Sequence, residues 1–194
     1  MLQSGTLDAM GAQGAASFRY ADERVMVAAI GPMVVPIVGK LGYSVESARA
    51  QARAIEAHGR TVGTGRMIEL SLIDGDVPIP DAEVRATLDQ GVPAISPYYR
   101  AVSAVFPGSG FRAALIRGVI MSFQLLSRTA YPQKVFATID AAAGFSRPHL
   151  HAADPSVADP QPLLAWVAEI AAEAARRGVL SEASVAAMLG GARG

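Results

Sequence analysis

The middle of the chain alternates between strand-like and helix-like patterns at short, regular intervals. Residues 66–140 show, in order, a strand, a short helix, a strand, a long apolar helix and a further strand. A strand followed by a helix and another strand usually builds a parallel sheet with helices packed on it. The alternation therefore predicts an α/β fold.

The residues before this region predict a hairpin and a helix. Residues 17–30 hold two β-like runs separated by a polar turn, which indicates an antiparallel pair of strands. Residues 33–42 are apolar but interrupted by proline and glycine, and we interpret them as a loop packed on the core. Ser44 is a suitable N-cap for a helix that we expect to end at Gly59, and Gly91 ends the later short helix in the same way.

The predicted fold class is therefore α/β, with a four- to five-stranded mixed sheet, helices packed on it and a C-terminal helical extension. The predicted segments are a lead-in (1–16), the α/β domain (17–148), a linker rich in proline and aspartate (149–160) and C-terminal helices that pack on the domain or on a partner (161–194).

Composition excludes several classes of protein. The formal net charge is zero, with 17 basic and 17 acidic side chains, so the basic excess typical of nucleic-acid binding is missing. The chain has no cysteine, which rules out disulfides and thiolate metal ligands. Residues 1–16 lack the pattern of a secretory signal, and no segment reaches ~18 uninterrupted apolar residues. We expect a cytoplasmic protein without a membrane span.

The long helix predicted over residues 111–128 is apolar around almost its whole circumference. Its polar stripe is narrow and contains Arg117, Gln124 and Arg128. A helix that lies on a sheet needs about one apolar face, so this helix has surface left to bury. We expect a protein partner or a second copy of the chain there, with a homodimer as the expected assembly. The predicted interaction surface comprises Arg117, Met121, Gln124 and Arg128.

Two loops carry candidate ligand-binding residues. The segment 107–112 turns a strand into a helix, and Ser109, Gly110 and Arg112 can form an anion cradle there. The alternative is a tight connection with Ser109 as the helix cap. Asp74 and Asp76 directly follow the strand that begins the 66–140 region and can bind a ligand or a hard cation, although aspartate is also common in turns for structural reasons.

The sequence predicts no catalytic residues, no metal ligands and no cofactor. His149 and His151 lie two residues apart, but no third strong ligand has a fixed position near them. Tyr98 and Tyr99 are expected to cover the edge of the core with their hydroxyl groups in water, and the alternative is that they line a groove.

The order hairpin, helix, strand, short helix, strand, long helix, strand, helix resembles the STAS domain, the fold of anti-sigma factor antagonists (SpoIIAA-like proteins). Residues 134–142 resemble the closing strand and helix of that family, and residues 66–74 resemble its central strand. The resemblance covers roughly residues 18–144. Members carry a phosphorylatable serine after the central strand, but residues 74–81 contain neither serine nor threonine.

Three functional hypotheses follow. The resemblance implies a non-enzymatic regulatory module that binds a protein, without the phosphorylation switch. The second hypothesis is a binder of a small apolar or anionic ligand, held between the long helix and the loops 74–80 and 107–112, in a pocket of some hundreds of Å3. The third is a small hydrolase that uses Asp74, Asp76 or His149.

Overall fold

The computed structural model describes residues 17–107, 118, 131–155 and 161–190. These residues form one mixed sheet of six strands, against the four or five predicted. The strands are β1 Ser17–Ala21, β2 Val25–Ile30, β3 Met33–Val38, β4 Met67–Ile73, β5 Tyr99–Val105 and β6 Gln133–Phe136. The described helices are α1 Val45–Val62, α2 Ala82–Ile95, α3 Ile139–Ala153, α4 Gln161–Arg176 and α5 Glu182–Met188, with a 3-10 turn at Ser96–Tyr98.

The strands lie side by side in the order in which they occur in the sequence. β2 is antiparallel to both of its neighbours, β1 and β3, whereas β3, β4, β5 and β6 run parallel. The predicted α/β class and the hairpin before it are therefore confirmed. The long helix predicted over residues 111–128 lies almost entirely outside the described residues.

The extra strand is β3, which occupies most of the segment interpreted as a loop. Pro36 made that segment resemble a loop because proline cannot donate to a strand ladder. In the structure Pro36 lies opposite Val27 of β2, and the parallel ladder with β4 skips Val35 and Pro36. The missing N–H therefore falls at an interruption of the ladder, and the loop prediction was wrong.

Two glycines expected to end helices lie inside them instead. α1 continues past Gly59 to Val62, and α2 continues past Gly91 to Ile95. A Cβ at position 59 would lie 2.6 Å from the ring of Tyr98, and one at position 91 would lie 3.1 Å from the Cβ of Ala52. These glycines allow close packing, and only the predicted cap at Ser44 is confirmed, since its side chain accepts from the N–H of Ser47.

The helices cover both faces of the sheet. α1 and α2 pack together on one face, where Ile55 joins Val27, Val34 and Met67 in an apolar cluster. α3, α4 and α5 cover the other face. The cluster there combines sheet residues such as Ile68 and Leu70 with buried side chains of the C-terminal helices, namely Trp166, Val167, Ile170, Ala174 and Met188.

The predicted linker over residues 149–160 needs correction at its start. Residues 149–153 belong to α3, which continues through Pro148, and residues 156–160 lie outside the described part. The helix holds this position partly because the Ser146 hydroxyl bonds the hydroxyl of Ser103 on β5, at 3.2 Å. None of the described helices is both long and apolar enough to cross a membrane.

Candidate functional site

A cavity of about 270 Å3 lies between the sheet and the layer formed by α1 and α2. β4 and β5 present one wall of alternate side chains, which are Glu69, Ser71 and Ile73 from β4 and Tyr99, Val102 and Ala104 from β5. α1 and α2 form the opposite wall. One end of the cavity lies at the carboxyl ends of the parallel strands, where open α/β sheets commonly bind ligands. This end is closed by Val38, Tyr43 and residues 77–80.

The space results from short side chains on both walls. Ala48 and Ala52 of α1, Gly91 of α2 and Ala104 of β5 all line the cavity. At these positions a larger aliphatic side chain would occupy the volume that remains between helix and sheet. The close approach of Gly91 to Ala52 holds the two helices together beside the cavity, so the helical wall is continuous.

Glu69 is an acidic side chain in the middle of β4 that lines the cavity. Its carboxyl group accepts a hydrogen bond from the Ser71 hydroxyl at 2.6 Å and another from the Tyr99 hydroxyl. The side chain keeps partial exposure where the cavity adjoins it, but protein atoms surround the carboxyl group. This burial raises the pKa of Glu69, although both hydrogen bonds favour the charged form and act in the opposite direction.

Three tyrosines surround this carboxyl group. Tyr43, Tyr99 and Tyr131 all line the cavity, and the rings of Tyr99 and Tyr131 are 5.3 Å apart at an angle of 58°. Burial raises the pKa of each of these tyrosines, and the negative charge of Glu69 raises each pKa further. Tyr99 bonds the carboxyl group directly, and Tyr43 and Tyr131 lie within range of its charge.

Lys134 contributes to the cavity lining, but its ammonium group lies on the other face of the sheet. It pairs with Ser103 in the β5–β6 ladder, and Ser103 bonds Ser146 of α3. The Nζ atom of Lys134 lies 5.5 Å from the ring centroid of Phe145, which also belongs to α3. Among the described lining residues, Glu69 is therefore the ionisable group with a formal charge that faces the cavity.

Of the predicted candidate residues, Asp74 and Asp76 belong to the described part of the chain, and neither lines this cavity. Asp74 is fully buried, and its two carboxylate oxygens accept from the backbone N–H groups of Asp76 and Ser181, at 2.8 and 2.6 Å. These bonds tie the end of β4 to the start of α5, which is a structural role. Asp76 follows directly and is not part of the lining either. The remaining candidates fall outside the described residues, namely Ser109, Gly110, Arg112, Arg117, Met121, Gln124 and Arg128.

Tyr99 lines the cavity, as the groove alternative predicts, but the residue is only 7% exposed and its hydroxyl donates to Glu69, so the expectation of a hydroxyl group in water is wrong for Tyr99. His149 packs its ring against Phe145 at 5.2 Å, and burial together with the charge of Arg100 lowers its pKa. Within the described ranges, no three histidine, aspartate or glutamate side chains lie close enough together to bind one metal ion.

A second cavity, of about 360 Å3, lies near the end of α1 and is lined in part by Arg19, His58 and Arg66. His58 is only 4% exposed, and neither ring nitrogen reaches hydrogen-bond geometry, although the ring lies near the backbone of Gly31 and Met33. Burial lowers the pKa of His58, and the charge of Arg19 lowers it further.

The sequence predicted a pocket of some hundreds of Å3 beside the loop 74–80, and residues 77–80 do border this cavity, but Glu69 and the wall formed by α1 and α2 were missed. The available signal was a charged residue in the centre of an otherwise apolar interior strand, a position that acidic side chains rarely occupy without a partner. Comparison of the chain with family models, with curated proteins and with solved structures finds no match. The functional argument therefore depends on the geometry of the chain itself.

Proposed function

We propose that this protein binds a small, largely apolar molecule in the cavity between the sheet and the α1–α2 layer. The observation that supports this proposal is the cavity itself, with mostly apolar walls, a polar cluster around Glu69 and the neutral amides of Gln51 and Gln133. Its volume of about 270 Å3 exceeds the ~150 Å3 of an apolar cavity that takes benzene, and lies just below the range of drug-sized pockets. A ligand with one ring and a short side chain matches this size.

The polar cluster has capacity left for a ligand. A carboxylate offers about four lone-pair positions, and Ser71 and Tyr99 occupy one on each oxygen of Glu69. Small-molecule sites typically combine such a convergent polar group with hydrophobic walls, since the walls supply affinity and the polar group fixes orientation. Glu69 would orient the bound molecule, and the alanine-lined walls would exclude water from it.

The regulatory, protein-binding function implied by the STAS resemblance remains a second proposal. In its support, the described elements keep the order on which the resemblance depended, apart from the additional strand β3. Its proposed surface includes Arg117 and Arg128, and light scattering combined with size-exclusion chromatography tests it. A homodimer supports a self-associating module, and a strict monomer removes the predicted homodimer.

Thermal unfolding with a matched pair of probes tests ligand binding. The probes are 2-phenylethanol and 2-phenylethylamine, which share one ring and a two-carbon chain. A ligand at ~100 times its Kd stabilises the folded state by ~2.7 kcal/mol, which corresponds to a Tm increase of roughly 5–10 °C for a chain of this length. We expect at least one probe to raise the Tm of the wild type.

An Ala104→Leu variant is the control, because the larger side chain occupies the cavity. A probe that raises the Tm of the wild type but not of this variant supports binding in the cavity. Failure of both probes, or an equal increase in the two proteins, would overturn the proposed site.

A further inference from the structure

We propose that the cavity selects a protonated amine carried on a small apolar body, rather than a neutral or anionic molecule of the same shape. This inference rests on the proposed function, because it names the chemical class of the ligand for that same cavity. Its basis is the juxtaposition of one carboxyl group, three tyrosines and mostly apolar walls, in which the other polar side chains, Gln51, Ser71 and Gln133, carry no charge.

The first step of the argument concerns charge. Glu69 faces the cavity, whereas the ammonium group of Lys134 lies over Phe145 on the opposite face of the sheet. The described lining therefore contains an acid without a basic side chain beside it. A buried charge is costly unless it is paired, so a cationic ligand would supply what these walls lack.

The second step concerns hydrogen bonding. Both partners of Glu69 are hydroxyl groups that already donate to it, and the carboxylate still has free lone pairs. An ammonium group has three N–H donors and no acceptor, so it can satisfy these lone pairs directly. An alcohol brings a single O–H donor and no charge, whereas the ammonium group adds further donors and the attraction of opposite charges, and this difference favours an amine over an alcohol.

The third step concerns the aromatic rings. Tyr43, Tyr99 and Tyr131 line the same cavity as Glu69, and tyrosine rings attract cations through their quadrupoles within about 6 Å of the ring centroid. An anionic ligand would be repelled, since it would place a second negative charge beside Glu69. Carboxylates and phosphates are therefore excluded by the same group that attracts the amine.

Calorimetric titration at pH 7 distinguishes these possibilities. The probes are 2-phenylethylamine, 2-phenylethanol and 3-phenylpropanoate, which present a cation, a neutral hydroxyl and an anion on one type of apolar body. For the wild type we expect the amine to bind at least 10-fold tighter than the alcohol, and the carboxylate to bind weakest. An alcohol that binds as tightly as the amine would overturn the selectivity while leaving the proposed ligand site intact.

The variant Glu69→Gln keeps the size of the side chain but removes the charge, and its amide can accept from one of the two hydroxyl groups and donate to the other. We expect the amine to lose at least 10-fold in affinity while the alcohol changes less than 3-fold. Preserved preference for the amine in this variant would contradict the role of Glu69. If none of the three probes binds the wild type, both the selectivity and the proposed function fail, whereas binding without preference removes only the selectivity.

Discussion

Filling the cavity should stabilise the protein, and this outcome distinguishes unfilled space from ordinary core packing. The perturbation is Ala104→Leu on β5. Ala104 is 6% exposed, lies opposite Ser71 in the β4–β5 ladder and faces the cavity. The added isopropyl group would extend between the sheet and the α1–α2 layer.

The magnitude follows from the carbon atoms that become buried. Leucine adds three carbons to alanine, and burial of each contributes ~0.8 kcal/mol, which gives ~2.4 kcal/mol. The loss of side-chain freedom offsets ~0.5–1 kcal/mol of this gain. We therefore expect the free energy of unfolding to increase by ~1.5 kcal/mol.

Ala101→Leu is the matched control, because Ala101 lies on the same strand with its side chain on the opposite face of the sheet. Ala101 is completely buried and pairs with Ile68, whose side chain belongs to the packed core under α3 and α4. Extra methylene groups in a packed core cost ~1–3 kcal/mol. The two variants should thus change stability in opposite directions.

Urea unfolding followed by circular dichroism measures both changes against the wild type. A gain for Ala104→Leu together with a loss for Ala101→Leu agrees with the cavity. Similar losses in both variants would show that the space beside Ala104 is already packed, and would refute the reasoning.

Three further predictions concern buried ionisable groups. Asp74→Ala should lower the free energy of unfolding by about 1–3 kcal/mol, because two backbone N–H groups lose their acceptor. The control Glu23→Ala, at an exposed side chain, should change it by less than about 0.5 kcal/mol. Urea titrations measure both changes. Burial lowers the pKa of His58, so the unfolded chain binds a proton at a higher pH than the folded protein does. Stability should therefore fall as the pH drops below ~6.5. The variant His58→Leu should remove that part of the fall, and unfolding midpoints at pH 7.5 and 5.5 measure it. Burial raises the pKa of Glu69, so the folded state holds the carboxyl proton more tightly than the unfolded chain does. The contribution of Glu69 to stability should therefore decline as the pH rises from ~4.3 through the raised pKa. A pH series in which Glu69→Gln shows the same decline as the wild type would contradict this assignment.

Local patterns were sufficient to predict most of the sheet. β4 lies between glycine-rich turns and is almost entirely apolar, and the helix after Ser44 has a capping side chain at its start, so short-range chemistry determines both elements. β3 could not be predicted, because the pairing of Pro36 depends on where the ladder with β4 is interrupted. The roles of Gly59 and Gly91 likewise depend on the distance to Tyr98 and Ala52, which are remote in sequence.

The candidate site was less accessible from the sequence than the fold. Asp74 and Asp76 attracted attention because acidic residues after a strand are typical of ligand sites, but the bond from Ser181 to Asp74 joins residues more than one hundred positions apart. Glu69, in contrast, lines the cavity but was not predicted as a site residue, since its sequence context indicates only an interior strand. The cavity arises from the separation of two layers, and single residues do not reveal that separation.

A crystal structure of the protein soaked with 2-phenylethylamine tests the central claim most directly. We predict that the phenyl ring lies between the sheet and the α1–α2 layer, with the amine nitrogen about 2.7–3.2 Å from a carboxylate oxygen of Glu69. Side chains that fill this space, or a probe bound only elsewhere on the protein, would contradict the account.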